Sequence, residues 1–396
     1  MGANSKIKAR AAVLMAGMLI ITATSTQLRA DTGTCGGVST TLPFTDVAGN
    51  PFFCAIAEAY FSGLTNGTTA TTYSPANNVP REQMAAFVTR TLDQSLKRGS
   101  RRGALEQWYS PTSSTSIART AVGHAPNEVK SDGADLWVAN FNSQTVSRVR
   151  ASDGKLLETW TNAPAATAVV VARGRVYIAG GTRPGLLYEI NPTQPAGPVT
   201  LIANTLGDFP QGIAFDGFNI WTANNSPGSV SRIDPVGGFV DNFTVGFAQP
   251  WGILYDGANI WVTDRSADTL LKLNSFGQII QTVPVGSHPR GLIFDGTNIW
   301  VTNDMDDTVT VVRASIGAVI ATLSGNGLST PLAAAFDGER IMVTNYAGNS
   351  VSLWKAADLT PLGSVSTGAN SFPHRACSDG LNFWITLAGP QRLARF

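Results

Sequence analysis

The sequence predicts a mostly β protein, a seven-bladed β-propeller that carries a small helical module on its amino-terminal side. Three observations predict it. A short phrase, Asp-Gly-x-x-Ile/Leu-Trp, recurs along the last two-thirds of the 396-residue chain. Its period matches one four-stranded blade. The composition, with 40 Gly and only 14% charged residues, suits many short strands and tight turns better than a helical bundle.

The phrase runs from Asp132-Gly133 to Trp137, Asp216-Gly217 to Trp221, Asp256-Gly257 to Trp261, Asp295-Gly296 to Trp300 and Asp379-Gly380 to Trp384. A sixth copy, Asp337-Gly338, has Met342 at the Trp position, and a degenerate seventh has Arg173-Gly174 and Tyr177. The anchors at 137, 177, 221, 261, 300, 342 and 384 are 40, 44, 40, 39, 42 and 42 residues apart, which counts seven units. Each unit reads as four strands; in the fourth these are residues 252–255, 259–263, 269–274 and 278–285. A lone blade cannot cover both its faces, so blades stack radially and bury the Trp row as core rather than as a ligand cage.

Closure follows from the ends of the array. Residues 116–123 resemble a fourth strand, whereas only two strands, 382–387 and 392–396, follow the last anchor. Pairing the first segment into the last blade closes the ring and leaves no open edge. The propeller therefore spans 116–396.

The pattern resembles the YVTN/NHL-type propellers. In the phrasing of Asp295 to Asn303 it also resembles the streptogramin B lyase family, and the likeness covers essentially all of 116–396. A lyase of that family implies a His, then a Glu and a second His a few residues on, with a divalent metal at the channel mouth. Here the three His are His124, His288 and His374, and none has a Glu at that spacing. Glu128, Glu158, Glu189 and Glu339 are scattered. No catalytic residue, metal ligand or cofactor is assigned. Ring closure leaves one acid–base candidate, His374 with Glu128.

A Pro stands six residues before each anchor Asp except in the second unit: Pro126, Pro210, Pro250, Pro289, Pro331 and Pro373. It marks the start of the innermost strand at one mouth of the channel. The next residues form a ring of candidate ligand contacts: Asn127, Gln211, Trp251, Arg290 and His374, with Leu332 as the apolar sixth. Glu128, His288 and Arg375 lie beside them. This ring is varied where the rest of the repeat is monotonous, and channel mouths are where such loops bind. Asp304, Asp306 and Asp307 form the densest acidic cluster, read as a solvated hairpin turn between the second and third strands. Cys377 reads as a small buried hydrophobe in a core strand.

Ahead of the propeller, residues 1–30 read as a signal peptide: Lys6, Lys8 and Arg10, the apolar run 11–22, and Ala30 as the cleavage point. Twelve apolar residues are too few to cross a bilayer. Beyond this segment 24 basic face 27 acidic residues, which offers no basic face for nucleic acid. Cys35 and Cys54 are expected to form a disulfide, closing a loop of about 20 residues and contributing roughly 3 kcal/mol.

Residues 31–96 form the small module, with a core at 43–95. Helical spacing over 51–60 ends at Gly63, a Thr/Asn/Gly/Ser-rich loop covers 65–78, and Pro80 opens a second helix bearing Met84, Phe87, Val88 and Leu92 on one face. Phe44-Thr45-Asp46-Val47, Gly63-Leu64 with Gly67, Tyr73-Ser74-Pro75 and Arg81-Glu82-Gln83-Met84-Ala85-Ala86-Phe87 together resemble one S-layer homology module. The resemblance implies wall-polysaccharide contact through Arg81, whose guanidinium suits a carboxylate. Gln83 stands where the family often has an acid, and one copy stands where three usually pack together. Residues 97–115 read as a linker. The organisation points to a non-catalytic, secreted, cell-envelope propeller acting as a binding or scaffold module for a protein or carbohydrate ligand; the alternative is a secreted lyase or hydrolase with its site at the mouth.

Overall fold

The repeated phrase is a hydrogen-bonded device. In the fifth unit, Asp295 Oδ1 accepts the backbone N–H groups of Thr297 and Asn298 at 2.8 and 2.6 Å, and Oδ2 accepts the Trp300 indole N–H at 2.7 Å. Gly296 lies between them at φ +93°, a conformation that favours glycine. The same indole bond joins Asp132 to Trp137, Asp216 to Trp221, Asp256 to Trp261 and Asp379 to Trp384, at 2.6–2.8 Å. In the sixth unit the Met342 side chain has no N–H to offer, and Arg340 Nε donates to Asp337 Oδ2 at 3.0 Å instead. One carboxylate thus sets the turn and orients the large buried side chain of the following strand.

The computed structural model describes residues 30–35, 38–61, 65, 67–78, 84 and 118–396. The chain divides into two compact units, Met1–Gln94 and Ser95–Phe396. The second contains seven four-stranded antiparallel sheets. In the fourth blade the strands are Pro250–Tyr255, Ile260–Asp264, Thr269–Leu273 and Ile279–Pro284. The innermost strand begins two residues earlier than its apolar run because Pro250 itself pairs with Asp264. The last blade orders Pro373–Ser378, Phe383–Leu387 and Arg392–Arg395, and its fourth strand is Ala118–Ala121 from the front of the ring. Register runs from Ala118 opposite Arg395 to Ala121 opposite Arg392.

The core lies between neighbouring blades. Trp261 of the fourth blade packs with Ile299, Val301 and Val312 of the fifth, all buried. Innermost strands approach closely around the channel. A Cβ on Gly252 would meet the carbonyl oxygen of Arg290 at 2.5 Å, and one on Gly291 that of Leu332 at 2.6 Å. Threonines of the second strands tie blade to blade: Thr263 Oγ1 donates to Arg290 O at 2.7 Å and Thr344 Oγ1 to His374 O at 2.9 Å. The backbone beneath the mouth ring is therefore held from both sides.

The described part of the first unit is mixed rather than purely helical. Strands Asp31–Cys35 and Val38–Leu42 form a hairpin, which the sequence reading did not anticipate. Its side-chain pattern is Thr-rich with little apolar alternation. The helix spans Phe53–Phe61, two residues later than the spacing at 51–60 predicts, because Asn50 Oδ1 accepts the Phe52 N–H and turns the chain first. Leu42, Phe44, Val47, Phe53, Ile56 and Ala57 make its core. Cys35 and Cys54 are joined by a disulfide, with 5.5 Å between their Cα atoms. The signal segment up to residue 29, the linker 97–115, Arg81 and the second expected helix apart from Met84 lie outside the described residues.

Candidate functional site

The mouth is built twice over by the repeat. In every blade the residue before the innermost strand offers its carbonyl to the N–H of the residue just after the second strand. Examples are Phe141 N to Ala125 O at 3.0 Å, Arg265 N to Gln249 O at 2.9 Å and Tyr346 N to Thr330 O at 3.1 Å. Six of those seven carbonyl residues, among them Ala125, His288 and Thr330, have φ between +47° and +56°. In the fourth blade Asp264 replaces the usual Asn, and its carboxylate takes the N–H groups of Ala248 and Gln249 at 2.7 and 2.8 Å. The rim is a set of hydrogen-bonded turns rather than loose loops.

These turns surround a cavity of about 590 Å³. Asn127, Gln211, Trp251, Arg290 and His374 all line it, as does Leu332. The seventh ring position is Thr167, missed in the sequence because the second blade starts its inner strand with Ala166 instead of Pro. Phe141 and Tyr346 complete the aromatic lining. Each directly follows the Asn that ends its second strand, Asn140 or Asn345, so that Asn is a signal by which they were findable.

One side of the mouth is cationic. The Arg290 guanidinium lies 4.3 Å from the centre of the Trp251 ring and that of Arg265 lies 5.2 Å from it. Arg290 Nε donates to Asp304 Oδ2. Arg265 Nη2 is 3.3 Å from His288 Nδ1, which is 3.4 Å from Asp304 Oδ1. Asp304 is thus buried beneath the mouth at 8% exposure, not in a solvated turn as the sequence suggested; Arg290 draws it in. Asp306 and Asp307 accept the backbone N–H groups of Ser287 and Thr330 at 2.6 Å each.

His374 presents one nitrogen to the protein. Its Nδ1 lies 3.0 Å from the backbone oxygen of Asn127. Burial, with the charges of Arg375 and Arg290, holds the imidazole down to about 4, so it is neutral at pH 7. A neutral ring facing a carbonyl keeps its proton on Nδ1 and leaves Nε2 as an acceptor. Glu128 does not meet it. That carboxylate sits deeper in the channel, 3.6 Å from Lys130 Nζ and 3.9 Å from Arg375 Nε. Ring closure brings the two blades together, but the Arg375 and Lys130 charges turn Glu128 away. His124 is exposed on the rim.

No family model and no curated protein matches this chain. Solved structures do. A streptogramin B lyase superimposes with a TM-score of 0.61 at 15% identity, over 71% of this chain and 96% of that one. Hydrazine synthase of Kuenenia stuttgartiensis gives 0.60 at 15%, over 72% and 98%. The WD40 propeller domain of Doa1 gives 0.59 at 12%, over 71% and 97%. The fold is a seven-bladed β-propeller. At these identities the likeness extends to the scaffold, which serves lyase and WD40 proteins alike.

Proposed function

We propose that the chain is a secreted, cell-envelope protein whose propeller binds a small ligand, without catalysis, in the mouth cavity. The observation that carries this reading is the cavity itself. Its volume falls in the range of small-molecule sites, about 300–1,000 Å³. Aromatic walls from Trp251, Phe141 and Tyr346 surround a few convergent polar groups from Asn127, Gln211, Arg290 and His374. The test is a thermal-shift screen of the protein against soluble wall fragments and small metabolites. A ligand that shifts the wild type should shift Trp251→Ala several-fold less; a ligand that shifts both equally binds elsewhere.

The Cys35–Cys54 disulfide accords with export, as does the amino-terminal signal pattern. Among the described residues no helix is long and apolar enough to cross a membrane. The first unit acts as a wall tether through Arg81. Sedimentation with purified wall polysaccharide tests this: wild type pellets and Arg81→Ala stays in solution, and equal pelleting removes that role from Arg81.

One observation favours a second reading, a lyase or hydrolase at the same mouth. The neutral His374 lines the mouth with its Nδ1 on the Asn127 oxygen, which leaves Nε2 able to accept a proton from a compound bound there. Mass analysis of any bound compound after incubation separates the readings: turnover that His374→Gln abolishes makes the protein an enzyme, and an unchanged compound makes it a binder.

A further inference from the structure

We infer that the mouth selects ligands carrying an anionic group, such as a carboxylate or sulfonate, beside an apolar or ring-shaped body. This rests on the mouth being the ligand site and adds its chemical class.

The charged side chains that line the cavity are Arg290 and Arg375; no Asp or Glu lines it. Arg290 Nε donates to Asp304 from behind, and Arg375 Nε faces Glu128 at the longer distance of 3.9 Å. Among the described residues the Nη groups of neither make a hydrogen bond to protein. A guanidinium fixed at Nε has its other edge available for bidentate recognition of a carboxylate or sulfonate.

The surroundings do not neutralise these groups. Arg265 stands on the Trp251 ring beside Arg290, and its buried Nε has no hydrogen-bond partner. Burial and then the repulsion of Arg290 push its basicity down, outweighing the help of Asp304. Asp304 and Glu128 stand behind the two arginines, and the rim carboxylates of Asp264, Asp306 and Asp307 are taken up by backbone N–H groups; none of the five lines the cavity, so its wall carries an excess of positive charge. His374 is neutral and supplies no further charge. A bound anion would relieve that excess in a partly desolvated site, where such a pairing is worth more than in water. The body of the ligand is set by the remaining wall: the Trp251 ring, Phe141, Leu332 and Tyr346 favour rings or short apolar chains.

The experiment uses two fluorescent probes that share a ring system, 8-anilinonaphthalene-1-sulfonate and the neutral N-phenyl-1-naphthylamine, titrated into the full chain. The sulfonate should bind at one site at least tenfold more tightly than the neutral probe. Arg290→Gln should weaken the sulfonate about tenfold and leave the neutral probe within twofold. Arg265→Gln, whose side chain makes no ion pair, should narrow the preference in the same direction and serves if Arg290→Gln fails to fold. Trp251→Ala should weaken both probes. Equal affinities in the wild type, or a preference unchanged in both Arg variants, overturns the anion inference while leaving the mouth as the ligand site. If Trp251→Ala alters neither probe, the mouth is not the site and both readings fall.

Discussion

His374 Nδ1 lies 3.0 Å from the backbone oxygen of Asn127, so a side chain of the last blade is bonded to the backbone of the first. The same oxygen is approached at 3.4 Å by Thr386 Oγ1, also from the last blade. Two donors converge on one carbonyl where the ring closes. The closure and the candidate site therefore share a residue, and protonation of His374 bears on both.

Stability should respond to pH through this imidazole. Its pKa is about 4 in the folded protein against 6.5 for the free side chain. Between those values the unfolded chain binds more protons than the folded one, so stability rises with pH across the window. The contribution is fully present above about pH 6.5 and is lost as pH falls toward 4. It amounts to about 2 kcal/mol, reduced from the full shift because the ring lines the open mouth. Urea titrations of wild type and His374→Gln at pH 7 and pH 4.5 check this, since other acid-sensitive groups cancel in the difference. The stability gap between the two proteins should move by about 2 kcal/mol against the wild type at low pH. A gap independent of pH would mean that the ring titrates normally.

The propeller was legible because its strongest signal is a local chemical device. Asp295, Gly296 and Trp300 serve one turn and one indole, so they must recur in order wherever the turn recurs. Most of the mouth ring was legible from the Pro that opens each inner strand, and it failed at Thr167, where Ala166 removes the marker. Arg265 escaped, and Asp304 was misplaced in a solvated turn, for a different reason. Both follow a strand end whose backbone role any residue can fill, so nothing local distinguishes them from turn residues; only the cross-blade approach of Arg290 and Trp251 gives them meaning. The amino-terminal hairpin was hidden because Thr-rich strands carry little apolar alternation.

The Asp–Trp device predicts a graded loss. Asp295→Ala removes acceptors for two backbone N–H groups and a buried indole, which should cost about 3 kcal/mol. Asp337→Ala in the sixth blade removes the same two backbone acceptors but releases the part-exposed Arg340 guanidinium, which water can reach, in place of a buried indole, and should cost about 2 kcal/mol. Equilibrium urea unfolding of both variants measures this. Equal losses would show that the buried indole bond contributes no more than the Arg340 pair that replaces it.

Removing the closing strand should weaken the whole ring. Chains beginning at residue 116 and at residue 123 differ by Ala118–Ala121 and by two anchoring bonds, Arg119 Nη2 to Thr367 O at 2.6 Å and Thr120 Oγ1 to Gly154 O at 2.5 Å. The shorter chain exposes the Arg392–Arg395 edge to pairing with other molecules. Its melting temperature should fall by about 10 °C, and it should associate in a concentration-dependent way on sizing columns. Identical melting and monomeric behaviour would assign the closure no energetic role.

Cys377 should be chemically silent until the propeller opens. It is buried in the strand Pro373–Ser378 among Val129, Leu136 and Trp384, and burial pushes its thiol up to about 12. Disulfide exchange and alkylation proceed through the thiolate, whose population at pH 8 is then on the order of one part in ten thousand. An aromatic disulfide reagent should find no thiol in the native protein, one in denaturant and three in denaturant after reduction, the last two from Cys35 and Cys54. Because reaction requires opening, the labelling rate in low denaturant should follow the unfolding equilibrium of the last blade. The chain starting at residue 123 should therefore label faster than the one starting at residue 116, since it lacks the strand that covers that blade's edge. Equal rates would mean that Cys377 is reached by a local fluctuation that leaves the edge strand in place.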